Sequence, residues 1–78
     1  MIKVRVIPPP GWKSKRLDER YWLELDDDAK LSDALSAIRM PRALAKICLV
    51  CVNGTRSKTS VKLNDGDSIS FFPIATGG

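Results

Sequence analysis

Apolar and polar residues alternate along "IKVRVI": Ile2, Val4 and Val6 fall on one face and Lys3, Arg5 and Ile7 on the other, the two-residue period of a half-buried strand. The pattern breaks at "PPPGWKSKRLDE", where three prolines lack amide donors and Gly11 permits a sharp turn, so a loop is expected. Alternation resumes in "RYWLELD", with Tyr21, Leu23 and Leu25 opposite Trp22 and Glu24, and the short connection predicts an antiparallel hairpin. In "LSDALSAIRM" the period becomes helical: Leu31, Ala34, Leu35 and Ile38 share a stripe while Ser32, Asp33, Ser36 and Arg39 lie opposite. Asp33 and Arg39 suit the two ends of a helix dipole, and Pro41 is expected to stop the helix. Lys30 stands where a capping Ser or Thr would be expected, and "RALAKI" has room for one further loose turn.

The second half reads as strands and turns. "CLVCV" sets Cys48, Val50 and Val52 against Leu49 and Cys51, and alternation alone leaves open which side is buried. Asn53-Gly54 supplies the positive φ angles of a tight hairpin. "TRSKTSVKL" holds a short edge strand or irregular loop, "NDGD" is a second turn, and "SISFFPI" places Ile69 and Phe71 opposite Ser68, Ser70 and Phe72. The order of elements predicts an α+β fold, a mixed four- or five-stranded sheet with one main helix packed on one face.

Size and composition narrow what such a fold does. Seventy-eight residues, 44% of them hydrophobic, make one domain near the lower limit for a self-supporting core. The chain has no histidine to act as a neutral-pH base or metal ligand, which argues against a stand-alone enzyme. No apolar run approaches the roughly 20 residues of a membrane span, and Met1 leads straight into strand-like alternation, so a cytoplasmic protein is expected. In an extended segment Cys48 and Cys51 are separated by about 10 Å, beyond disulfide reach, which fits a reducing compartment. The formal charge of +4 is dispersed over several loops and interrupted by Asp26 to Asp28, as on an ordinary solvated surface.

The chain ends "FFPIATGG". Residues 1–74 are expected to form the folded domain and residues 75–78 a flexible diglycine tail. Four extended residues reach at most about 14 Å, far enough to enter a partner's cleft while the body stays outside. Glycine lacks a Cβ, so Gly77 and Gly78 fit a narrow channel. The group so presented is the terminal carboxylate of Gly78, ionised and inert at neutral pH until converted to a better acyl donor. An acyl-adenylate made with ATP does this, and the nucleotide site must lie on a helper enzyme, because the chain has no phosphate-cradling glycine-rich motif.

"CVNGTRSKTSVKLNDGDSISFFPIATGG" resembles the C-terminal half of the ThiS/MoaD sulfur-carrier family. Asn53 and Gly54 match its "VNG", Asp65 to Asp67 its "DGD", and Gly77 and Gly78 its tail. The upstream order of strand, strand and helix is that of the ubiquitin-like β-grasp. The resemblance implies a carrier whose Gly78 is adenylated by a ubiquitin-activating-like adenylyltransferase of the MoeB/ThiF type and converted to a thiocarboxylate, with Gly77 giving access. No cofactor is expected to be bound, and ATP is used by the activating enzyme. The destination implied is molybdopterin or tungstopterin synthesis, beside the large subunit of molybdopterin synthase, or the thiamine thiazole ring, beside thiazole synthase. The ending "FFPIATGG" is similar to the molybdopterin type, and the short link from helix to "CLVCVNG" to the thiazole type.

Aligned on "VNG", the resemblance turns Cys48, Val50 and Val52 inward and leaves Leu49 and Cys51 on an outer face with Phe72, Ile7 and Trp22. The expected partner-binding residues are Leu49, Cys51, Phe72, Pro73, Ile74, Ala75 and Thr76. The competing arrangement is that the long basic loop folds over this face and buries it. Two other functions fit the same fold: a ubiquitin-like modifier joined to lysines through Gly78, and an RNA-binding module using the basic loops with Trp12 or Trp22. Neither nucleic acid nor membrane is the expected partner, given the dispersed charge and the lack of a long apolar run.

Overall fold

A computed structural model of the chain describes residues 1–9, 20–41, 43–44 and 48–73. Five strands, β1 (Ile2–Ile7), β2 (Trp22–Leu25), β3 (Cys48–Val52), β4 (Thr55–Arg56) and β5 (Ser68–Pro73), form one mixed sheet in the order β2-β1-β5-β3-β4, and α1 (Leu31–Ala37) follows the first hairpin. The central pair, β1 and β5, is parallel, with Val6 beside Ile69. Every other neighbouring pair is antiparallel. This is the α+β, ubiquitin-like β-grasp arrangement expected from the element order, with the five-strand alternative realised.

Alternation in the sequence becomes alternation in burial. In β1 the residues alternate buried and exposed throughout, so Ile2, Val4 and Val6 enter the core. They meet Leu23 and Leu25 of β2, Leu31, Ala34 and Ile38 of the helical segment, Cys48 of β3, and Ile69 and Phe71 of β5. Val50 and Val52 are half-buried against the same cluster, which resolves the ambiguous strand as the motif alignment implied. Leu63, in the long connection after β4, is 1% exposed and completes the core from outside the sheet. Its burial ties that connection down: the Leu63 N–H donates to Ala29 O at 2.9 Å, and Lys30 pairs with Lys62 in an isolated antiparallel bridge.

The same connection explains how α1 starts on a lysine. A lysine side chain has no acceptor with which to cap a helix. Instead the orphan N–H groups of the first turn are met by backbone carbonyls from the connection, Leu31 N to Val61 O and Ser32 N to Thr59 O, both at 2.9 Å. Asp33 Oδ2 accepts from the Lys30 N–H at 2.8 Å, the reciprocal half of a capping box.

Termination differs from expectation. The helix ends at Ala37, before Pro41 exerts any restriction, because Arg39 turns left-handed at φ 56°. The Met40 N–H donates to Leu35 O at 3.2 Å and the Arg39 N–H to Ser36 O at 3.0 Å, the two bonds of a Schellman cap. Met40 and Leu35 are both partly buried against the core cluster. Arg39 therefore acts through its backbone as the turn residue past the helix end, not as a charge in the last turn. The loop expected over residues 8–19 lies outside the described residues from position 10 on, and of the turn expected over "RALAKI" only residues 43 and 44 are described, and they are helical.

Candidate functional site

Two turn motifs far apart in sequence are joined at one end of the sheet. Asn53 and Gly54 have φ of 53° and 83°, the paired positive angles of a type I′ hairpin, which sets Val52 opposite Thr55 and Cys51 opposite Arg56. The Asn53 side chain then reaches across to the start of β5: its Nδ2 donates to Asp67 Oδ1 at 2.9 Å, and its Oδ1 accepts from the Ser68 N–H at 3.0 Å. The backbone bond from Asn53 N to Ser68 O, 2.7 Å, closes the same contact. Asp67, 9% exposed, uses its other oxygen to accept from the Asn64 N–H at 2.8 Å.

The second turn grips β1 as well. Asp65 Oδ1 accepts from the Lys3 N–H at 2.8 Å, Gly66 N donates to Lys3 O at 2.7 Å, and Arg5 N donates to Asp67 O at 2.9 Å. Gly66 sits at φ 86°, a conformation that a Cβ would strain. The "VNG" and "DGD" motifs are thus two halves of one latch that fixes the entry of β5 between β1 and β3. Register established there carries along the strand to Pro73, the last residue of β5.

The helix covers one side of the sheet. On the other side, register places Ile7, Ser70, Cys51 and Arg56 in one line across four strands, with Leu49 beside Phe72 in the next. Phe72 is 51% exposed and Ile7 46%, whereas Leu49 and Trp22 are half-buried. Ile7, Leu49 and Phe72 thus form an apolar patch on this face. It is bordered by cations: Lys3 and Arg5 share the face because they alternate with the buried residues of β1, and Arg56 because it pairs with Cys51. The sequence reading missed Arg56 as part of this face, although the Asn53-Gly54 turn was sufficient to place it.

Cys51 departs from the expected docking set. It lies on the outer side, apart from the core cluster, yet it is only 6% exposed. It lies on an interior strand of the sheet, flanked by β5 and β4. Cys51 is therefore not an accessible contact, while Leu49 and Phe72 are placed as the alignment implied. Both cysteines are free and buried. The backbone of Pro73 pairs with Cys48 at the end of β5. Ile74, Ala75, Thr76, Gly77 and Gly78 lie outside the described residues.

At the start of β1, the same end of the sheet as the latch, the Met1 ammonium lies 2.9 Å from Asp27 Oδ1. The hydrogen bond to Asp27, reinforced by its charge, raises the amine pKa above its ordinary value, and the same contact lowers that of Asp27. Both groups are exposed, so this is a surface ion pair of small weight. Among the described residues there is no grouping of three or more His, Cys, Asp or Glu side chains that could hold a metal ion, and no helix is long and apolar enough to cross a membrane.

Comparison with known proteins agrees with this construction. The crystal structure of SAMP1 from Haloferax volcanii superposes with a TM-score of 0.64 at 20% identity, covering 99% of this chain and 98% of that one. A crystal structure of H. volcanii small archaeal modifier protein 1 gives 0.63 at 18% identity, covering 95% and 97%. At these identities the likeness is one of fold. No curated protein matches the sequence. The model of the ThiS family matches residues 13–78, a span that contains α1, both halves of the latch and the diglycine end. The chain belongs to the ThiS family.

Proposed function

We propose that the chain is a sulfur carrier whose Gly78 carboxylate is adenylated and converted to a thiocarboxylate that donates sulfur in cofactor biosynthesis, of molybdopterin or tungstopterin or of the thiamine thiazole. The observation that carries this reading is the family match running through Gly78. The latch supports it, because it holds in register the strand from which the tail leaves. In the first step a Gly78 carboxylate oxygen attacks the α-phosphorus of ATP and pyrophosphate departs. A sulfur nucleophile then attacks the acyl carbon and expels AMP, leaving sulfur on the chain's last residue. Nucleotide binding and catalysis belong to an adenylyltransferase of the MoeB/ThiF type. The chain is its co-substrate, or the small subunit of a larger enzyme, and is recharged after each transfer.

In this reading the patch of Ile7, Leu49 and Phe72 docks the partner while the four-residue tail reaches its active site. The test is intact-mass measurement after incubation with ATP, the activating enzyme and a sulfur donor. Replacement of one oxygen by sulfur, absent from a variant lacking Gly78, is the expected result. A second reading, a protein modifier joined to lysine through Gly78, is favoured by the likeness to small archaeal modifier protein 1. It shares the adenylate and differs in the acceptor, so conjugates that survive thiol reductant would establish it.

A further inference from the structure

We propose that Asn53 is a site of spontaneous deamidation, held shut in the folded chain by its contacts with Asp67 and Ser68, so that modification there records opening of the latch. Asn-Gly is the dipeptide in which this chemistry is least hindered, since a glycine nitrogen approaches the preceding side chain without interference from a Cβ. Both residues are exposed, and a Cβ built on Gly54 would meet nothing within 4 Å. In the reaction the Gly54 nitrogen bonds to Asn53 Cγ, the bond from Cγ to Nδ2 breaks, and ammonia leaves carrying the amide proton. The resulting cyclic imide is opened by water at either carbonyl, giving aspartate or isoaspartate.

The folded geometry opposes the first step. Nδ2 is held by Asp67 Oδ1 at 2.9 Å and Oδ1 by the Ser68 N–H at 3.0 Å. The partners are Asp67, just before β5, and Ser68, its first residue, so both ends of the side-chain amide are engaged and it is not free to turn onto the Gly54 nitrogen. The backbone at φ 53° is fixed by the hairpin and by the bond from Asn53 N to Ser68 O. Attack therefore requires the side chain to leave Asp67 and the turn to loosen. Once it has occurred, return is blocked. Aspartate places a second carboxylate beside Asp67, and isoaspartate adds a backbone atom to a turn whose register sets β3 against β4. Either product weakens the anchor of β5, which makes the reaction a one-way device that separates aged chains from new ones.

The test compares isoaspartate formation at residue 53, by peptide mapping, in the native chain, the chain unfolded in urea, and Asp67→Ala shown to be folded by circular dichroism. Loss of a hydrogen bond to a charged acceptor raises the open fraction by roughly tenfold or more, and Asp67→Ala should deamidate faster than the native chain by about that factor. The urea-unfolded chain should be faster still, a comparison that depends on no variant. Equal rates in the native and unfolded chains, or in the native chain and folded Asp67→Ala, would overturn the proposal. This outcome is independent of whether Gly78 carries sulfur.

Discussion

Replacing Asp67 by alanine tests the latch as a structural element. The carboxylate is 9% exposed and accepts from Asn53 Nδ2 at 2.9 Å and from the Asn64 N–H at 2.8 Å. Hydrogen bonds to a charged group contribute about 1.5–3 kcal/mol each, and truncation leaves both donors without their acceptor. Partial solvation of the rim lowers the sum, so the expected loss is ~2–4 kcal/mol. Against a total stability of roughly 5–15 kcal/mol the variant remains folded but is markedly weakened. In urea denaturation followed by tryptophan fluorescence, with a slope of about 1 kcal/mol per molar, the midpoint should fall by about 2 M or more. A double-mutant cycle with Asn53→Gly, which tolerates the positive φ, should return a coupling of about 1 kcal/mol or more. A midpoint shift below about 0.5 M, or additive effects in the cycle, would refute the latch.

Three further outcomes follow from other parts of the fold. Arg39→Gly relieves a left-handed side-chain residue at the end of α1, and should raise stability by about 0.5–1 kcal/mol in the same assay, provided the Schellman bonds to Leu35 and Ser36 persist. Phe72→Ser combined with Ile7→Ser removes the exposed part of the patch, and should leave stability within about 1 kcal/mol while raising the activating enzyme's KM for the chain roughly tenfold or more. The pair of Met1 and Asp27 gives a pH signature. The raised amine pKa stabilises below about 8 and its contribution disappears as pH rises through the folded value; the lowered carboxyl pKa stabilises above about 4 and is lost as pH falls through its folded value. Asp27→Asn should remove a small, salt-screened contribution between those limits, seen as convergence of the two stability profiles at both pH extremes.

How much of this was legible in the sequence depends on the range of the interaction. Strict alternation in "IKVRVI" was sufficient for β1, since a period of two maps directly onto the faces of a sheet, and Asn53-Gly54 was sufficient for the β3–β4 register. The helix stripe was equally clear, but its ends were not. Its start is capped by carbonyls of Thr59 and Val61, nearly thirty positions along the chain, and its end by a left-handed Arg39 where glycine is the ordinary choice. Cys51 was placed on the correct side of the sheet but expected at the surface, because periodicity gives direction and not depth. The link between Asn53 and Asp67 was invisible as geometry, although the two motifs that contain it were the strongest signal of family. The tail carries the proposed chemistry through its composition alone, and Gly77 and Gly78 needed no fold to be noticed.

The most direct measurement is the intact mass of the chain after incubation with ATP, an active adenylyltransferase partner and a sulfur donor, beside a variant lacking Gly78. A mass change equal to the exchange of one oxygen for sulfur, confined to the chain that ends in Gly78 and lost on omission of ATP, is the predicted result. An unchanged mass, with the partner's adenylation of Gly78 demonstrated in the same mixture, would contradict the sulfur-carrier account.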